Sequence, residues 1–332
     1  MKRFSFLPMR RRLLGTWSAL IALSSMTVAL PASADVYPAK VITFVIPFTP
    51  GAAPDVYARS IAREVAREAG VPVVVENKPG AGSVLAAQAV AKAVPDGYTA
   101  LITGNVAFTG NPHIMKRMAY DPVKDFTPIT TLAKGPMYLY VNQQTLNVNN
   151  VAELLEAARK QPQKYTFGYT SITSRLPAEM LQQGTGISLL GVPYKSGVAA
   201  TPDLLGGQID MLFTDLAPWT FVTSGKLRAI GVTDLKRSPY ATMVPTFEEQ
   251  GVKGMDISFW LAAYLPANAP PAVAKKLHQL LSKAAKSPDM QTSYQASGTF
   301  EFLQPLGALE DFQSKESAAW GKTIRSANIR PE

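Results

Sequence analysis

Two polar clusters in this chain have residue types and spacing suited to holding an anion. The first is Phe48-Thr49-Pro50-Gly51-Ala52-Ala53-Pro54-Asp55. It follows a β-branched and aromatic run, residues 41–46, that reads as a buried strand, and precedes an amphipathic run, 56–69, that stops at Gly70. Asp55 is placed as the N-cap of that helix. Arg59, Arg63 and Arg67 fall on one helix face and Ile61 and Val65 on another. Unpaired N–H groups and the positive end of the helix dipole then point at the loop, which suits a carboxylate or phosphate. An ordinary βα turn has the same signature, and these residues alone leave both readings open. The second cluster is Thr170-Ser171-Ile172-Thr173-Ser174-Arg175. It offers four hydroxyls and an arginine between a strand at 165–169 and a helix expected over 176–184. A solvated loop with a plain helix cap fits it equally well.

Other chemistry is poorly supported. The chain has two histidines and no cysteine, and His113 and His278 stand in no H-E-x-x-H or similar spacing, so a zinc site has no framework. Neither a G-x-S-x-G elbow nor a P-loop occurs. Gly80-Ala81-Gly82 before a helix lacks the third glycine and the later acidic residue of a dinucleotide site. No cofactor motif remains. Asp215 is the one residue to test as a catalytic acid or base. The residues describe a binder better than an enzyme.

The elements that must position these clusters alternate along the chain. Strands are expected at 71–75, 98–103, 137–141, 209–213, 226–233 and 260–265, with helices at 84–93 and 148–160 and mostly helix after Pro270. That alternation implies largely parallel sheets covered on both faces, with ligands at the carboxyl ends of the strands. The loop at 104–112 after the third strand, with Asn105 and Phe108, falls at such an end. The pattern of strand, polar loop and helix repeats either side of about residue 137, and the length suits two domains.

The formal charge is +9, but residues 1–34 hold Lys2, Arg3, Arg10, Arg11 and Arg12 and no acidic residue. From Asp35 onward the chain is only mildly basic and has no dense Lys/Arg block, which argues against a nucleic-acid surface. The first 34 residues have the layout of a secretory signal, with a basic start, an apolar stretch at 13–30 and Ala32-Ser33-Ala34 as a cleavage site before Asp35. An exported, soluble product cleaved after Ala34 is expected. Arg10-Arg11-Arg12-Leu13-Leu14 partly resembles a twin-arginine signal, so the export route stays open.

Eight motifs occur in order: Ile46-Pro47-Phe48-Thr49-Pro50-Gly51 with Asp55, Val75-Glu76-Asn77-Lys78-Pro79-Gly80-Ala81-Gly82, Pro95-Asp96-Gly97-Tyr98-Thr99, and Tyr120-Asp121-Pro122-Val123-Lys124-Asp125-Phe126 among them. Tyr37-Pro38-Ala39-Lys40 precedes these, and Val192-Pro193-Tyr194-Lys195, Leu204-Leu205-Gly206-Gly207-Gln208-Ile209-Asp210 and Gly225-Lys226-Leu227-Arg228 come after them. Over essentially the whole chain beyond residue 34 they resemble the substrate-binding proteins of tripartite tricarboxylate transporters, the Bug family. The resemblance implies an α/β periplasmic binding protein of flytrap form, each lobe a mostly parallel sheet flanked by helices. One lobe would be 35–137 plus 258–332 and the other 138–257. It implies a monomeric periplasmic receptor that captures a small carboxylate and hands it to two integral-membrane transporter subunits. By the same resemblance Phe48, Thr49, Gly51 and Ala52 would serve the ligand from the first loop, and Asn105 and Phe108 from the next. Ser171, Thr173 and Ser174 would do so from the other lobe, with Tyr194 and Asp215 lining the cleft.

Two departures bear on the solute. Where the family reads Pro-Gly-Gly-Gly before a hydroxyl residue, this chain has Gly51-Ala52-Ala53-Pro54, and proline has no N–H to offer. Where the family commonly ends its second-lobe loop in Ser-Ser-His, this chain has Thr173-Ser174-Arg175, and Arg175 could pair with a second carboxylate. The expected solute is a mono- or dicarboxylate, aromatic if Phe48 and Phe108 flank a ring. Two alternatives stay open on the sequence, a ligand-sensing subunit for a membrane kinase and an exported carboxylate-processing enzyme.

Overall fold

The computed structural model describes Met1 and residues 37–331; apart from Met1, the expected signal over residues 1–34 lies outside the described residues. In chain order the elements are β1 (Ile42–Ile46), α1 (Ala53–Ala69), β2 (Val73–Asn77), α2 (Val84–Ala91), β3 (Thr99–Gly104), α3 (Asn111–Ile114) and β4 (Phe126–Pro136). The second group comprises β5 (Tyr138–Asn142), α4 (Val151–Lys160), β6 (Thr166–Tyr169), α5 (Ile172–Thr185), β7 (Leu190–Pro193), α6 (Gly197–Leu205), β8 (Met211–Thr214), α7 (Trp219–Thr223) and β9 (Leu227–Val232). The chain then returns through β10 (Ser258–Pro266), α8 (Pro271–Ala285), α9 (Pro288–Ser297), β11 (Phe300–Glu301) and α10 (Leu309–Ser326).

The strands form two sheets, β11-β4-β10-β3-β1-β2 and β7-β6-β8-β5-β9, flanked by helices. Both are mixed rather than mostly parallel. β1 runs parallel to β2 and β3, and β6 to β7 and β8, whereas β10 is antiparallel to β3 and β4, and β5 to β8 and β9. Each antiparallel pair includes a strand that borders one of the two passages between lobes, from β4 to β5 or from β9 to β10. A strand that returns without a crossover helix has to enter the sheet reversed.

Alternation along these strands serves two layers. Ile42, Phe44 and Ile46 of β1, with Leu261, Ala263 and Leu265 of β10, pack toward α1 and α8. Val45, Trp260, Ala262 and Tyr264 pack the other way, against Ala86, Ala87 and Val90 of α2. In α1, Tyr57, Ala58, Ile61, Ala62 and Val65 are buried, and the helix ends at Gly70 in the left-handed region (φ 71°), its N–H on Ala66 O at 3.0 Å.

A buried threonine joins the crossing segments. Met137 alone separates β4 from β5, and its N–H donates to Thr233 Oγ1 at 2.9 Å. The Thr233 N–H returns a bond to Met137 O at 2.9 Å, and its hydroxyl donates to Ile257 O at 2.5 Å, just before β10. A small apolar cluster of Ile172, Leu176, Ile257, Trp320 and Ile324, with Val106 and Ile114 against it, ties α5 and α10 to the turn after β3.

Candidate functional site

The loop after β1 is pinned from below. Asp55 is not the N-cap. Helix α1 begins at Ala53 with Ala52 as cap, so Asp55 is the third helical residue, 3% exposed. From there its carboxylate accepts the Gly51 N–H at 2.9 Å, Arg59 Nε at 3.0 Å and Asn77 Nδ2 at 2.7 Å. Asn77 also donates to Phe48 O at 2.9 Å. The cap is displaced because Pro54 fits the first turn, where its missing N–H would have no helical partner anyway. Burial alone would raise the Asp55 pKa; the hydrogen bonds from Arg59, Asn77 and Gly51 and the Arg59 charge outweigh it and hold it below the usual carboxylate range. Gly51, at φ 83°, takes the turn that a side chain would resist. Among the described residues the Ala53 N–H finds no hydrogen-bond acceptor.

The second cluster is a helix start rather than a loop. Helix α5 runs from Ile172, so Thr173, Ser174 and Arg175 lie in its first turn. The Ser174 hydroxyl accepts the Thr170 N–H at 2.9 Å and the Ser171 N–H at 3.3 Å, which folds the entry segment onto the helix. Thr173 Oγ1 donates to Asn105 Oδ1 at 3.2 Å, and Asn105 Nδ2 donates to Ser258 O at 3.2 Å. Helix α6 presents a third start, where Ser196 caps the Ala199 N–H.

These starts open on one cleft of about 980 Å³. Phe48, Thr49, Gly51, Ala52, Asn105, Ser171, Thr173, Ser174, Tyr194 and Asp215 all line it. Two expected residues do not. Phe108 sits in a turn at Val106–Gly110, 1% exposed, stacked on Tyr264 at 4.0 Å between ring centroids. An all-apolar side chain in a tight turn over the sheet gains more from the core than from a wet cleft. Arg175 is turned along α5, with Nε on Glu179 Oε1 at 2.9 Å and the guanidinium 5.3 Å from the Tyr169 ring centre. Its i,i+4 partner and a neighbouring ring hold the charge that a ligand was expected to hold. His113, for its part, packs on Gly321 of α10 and bonds Ser317 Oγ at 3.0 Å.

Lining residues that the sequence did not assign to the site include the 79–83 turn, residues 195–199 and 201 at the start of α6, and Phe259 with Leu261 on β10. The Ser196-Gly197 pair before an apolar helix was the available signal for the second of these. Much of the wall is apolar, with Phe48, Val106, Met137, Phe259 and Leu261. Gly104 leaves room there: a Cβ would meet the tip of the Phe48 ring at 3.8 Å. Charged side chains are few. Among the described residues, Lys195 and Asp215 are the ionisable acid and base of the lining, and neither is in an ion pair. Desolvation pushes Asp215 up to about 6, against one bond from the Ala217 N–H at 3.0 Å. The Tyr194 hydroxyl donates to Asp203 at 2.8 Å, and burial together with that carboxylate pushes its pKa up to about 12. Among the described residues no group of three or more His, Cys, Asp or Glu could hold a metal, and no helix is long and apolar enough to cross a membrane.

Two mixed sheets meeting at a cleft of helix N-termini define a two-lobed solute-binding protein. The sequence profile of the tripartite tricarboxylate transporter family receptor matches residues 57–329, and the chain belongs to that family. It is 30% identical over 314 residues to Protein BugT of Bordetella pertussis, covering 93% of this chain and 96% of that one. The periplasmic binding protein BugD superposes with a TM-score of 0.82 at 31% identity, over 89% of this chain and 100% of that one. The R. palustris protein Rpa4515 with adipate superposes at 0.84, with 29% identity, over 89% and 100%. The family is one of periplasmic binding proteins, not enzymes.

Proposed function

We propose that this chain captures a small carboxylate with an apolar body in the cleft and delivers it to a membrane transporter. The observation that carries the reading is the convergence of the first turns of α1, α5 and α6 on one mostly apolar cavity. Free N–H groups and dipole ends supply a diffuse positive field that suits a carboxylate without a fixed counter-charge. In this reading the carboxylate lies against the Ala53 N–H and Thr49 at the start of α1, and the body of the solute extends toward the wall formed by the second lobe. Phe48 and Phe259 flank the body, so both aliphatic and aromatic carboxylates are candidates. The adipate named with Rpa4515 supports the ligand class. The family supports delivery to two membrane subunits, and we propose export through residues 1–34, cleavage after Ala34 and a monomeric periplasmic receptor.

A thermal-shift screen of the chain from Asp35 onward against mono-, di-, tri- and aromatic carboxylates tests this. A ligand at about a hundred times its Kd stabilises by about 2.7 kcal/mol. At ~2–4 °C per kcal/mol that raises the Tm by roughly 5–10 °C. A shift confined to carboxylates is expected; a flat response to all of them overturns the reading.

A further inference from the structure

On the second lobe's face of the cleft, charge is laid out in a row. β6 pairs in parallel with β7 on one side and β8 on the other, so the carboxyl ends of the three strands lie side by side. Lys195 comes after β7, the first turn of α5 after β6, and Asp215 directly after β8. Neighbouring strands are ~4.8 Å apart, so the lysine and aspartate positions stand roughly 10 Å apart with a helix N-terminus between them. Lys195 is exposed at the rim, whereas Asp215 is half-buried. Asp215 Oδ1 takes the Ala217 N–H, while among the described residues Oδ2 has no hydrogen-bond partner and no cation comes within ion-pair distance. Asp215 is thus a half-buried carboxylate on the wall of an anion-binding cleft, with one acceptor oxygen that no described protein group engages. It opposes a second negative charge and favours a donor.

We infer that Asp215 determines specificity: it accepts a hydrogen bond from a hydroxyl or ammonium group borne by the carboxylate solute at the end away from its carboxylate, and it disfavours a second carboxylate there. This rests on the carboxylate reading above and adds the chemistry of the solute's other end. Desolvation supports the assignment. A pKa of about 6 leaves Asp215 ionised at neutral and alkaline pH, the form that accepts from a ligand donor and repels a second carboxylate.

The test uses three matched series in which only the far-end group changes. These are butanoate, γ-hydroxybutanoate, γ-aminobutanoate and succinate; hexanoate, ε-hydroxyhexanoate, ε-aminohexanoate and adipate; and benzoate, meta-hydroxybenzoate, meta-aminomethylbenzoate and isophthalate. Calorimetric titration at about pH 8, well above the Asp215 pKa, gives each Kd for the wild type, Asp215→Asn and Asp215→Ser. Asparagine keeps the acceptor for the Ala217 N–H, and melting curves verify that both variants fold. In the wild type, the amino or hydroxy member of the series that fits should bind at least about tenfold tighter than its diacid. Both substitutions should shrink or reverse that ratio by about tenfold, a change in selectivity that general damage to the site does not produce. A wild type that prefers the diacid, or a ratio unmoved by both variants, overturns the inference and leaves the carboxylate reading standing. No binding of any member to the wild type overturns the carboxylate reading itself.

Discussion

The Thr173 hydroxyl donates to Asn105 Oδ1 at 3.2 Å, joining the first turn of α5 on one lobe to the end of β3 on the other. Both residues are buried, and both line the cleft. Asn105 is held in turn by its Nδ2 on Ser258 O and its N–H on Trp260 O, both at 3.2 Å and both on the returning strand β10. The lobes therefore meet through a polar contact whose receiving side is fixed to the crossing strands.

Thr173→Val keeps the shape and removes the bond. It should lower stability by about 0.5–1.5 kcal/mol, the usual net value of one hydrogen bond. Because the bond spans the lobes, solute affinity should fall several-fold as well, through faster release. Stopped-flow and calorimetric measurements with a ligand from the carboxylate screen read both effects. An unchanged dissociation rate would remove the contact from the closed form.

Asp55 is predicted to matter for the site through its loop. Asp55→Ala leaves the Gly51 N–H, Asn77 Nδ2 and Arg59 with unpaired donors around a buried position. Breaking a buried, hydrogen-bonded charge pair costs about 3–5 kcal/mol. Arg59 is 43% exposed, so the loss should fall at or below the low end of that range. Since the native pKa lies below 3.8, the stabilisation is present above the unfolded pKa and is lost as pH falls through the folded one. Chemical denaturation from about pH 7 down to pH 3 should show a steeper loss in the wild type than in Asp55→Asn. Parallel curves would contradict the role.

The elements legible in the sequence were those with one strong local signal. β1, β3 and α1 are continuous apolar runs or clear amphipathic stripes, and their neighbours in space confirm what the pattern demands. β4 was illegible because Pro128, Lys134, Gly135 and Pro136 argue against a strand locally, whereas pairing with β10 along its length enforces one. The register shift beside Tyr264 falls opposite Pro128, where a ladder donor is missing. In the site, both cradle loops were visible as polar punctuation, but side-chain direction was not. Thr173 and Arg175 are two residues apart on α5; one reaches Asn105 across the cleft and the other lies along its own helix. Nothing short of the packed structure separates them.

That placement makes Arg175 a control. Arg175→Ala should change carboxylate affinity by less than about twofold for mono- and diacids alike, while removal of a partly exposed i,i+4 pair lowers stability by about 0.3–0.5 kcal/mol. Paired calorimetric titrations with a monoacid and its diacid decide it. A loss specific to the diacid would return Arg175 to the ligand.

Asp215 should act on stability in the direction opposite to Asp55. Its native pKa of about 6 exceeds the ordinary value of 3.8, so between these pH values the folded state holds more protons than the unfolded one. Stability must then fall as pH rises through that window, and the penalty persists above it. Asp215→Asn removes the penalty and keeps the bond from the Ala217 N–H. Without ligand, the variant should gain Tm relative to the wild type at about pH 8, and the gain should shrink toward zero near pH 4, where the wild-type carboxyl is neutral when folded. With a bound solute that donates to Asp215, the advantage of the variant at pH 8 should disappear, because the ligand supplies the solvation that folding removed. Melting curves at the two pH values, with and without ligand, read all of this in one experiment. A variant whose Tm difference from the wild type is the same at both would mean that the Asp215 carboxylate is as well solvated in the cleft as in the unfolded chain.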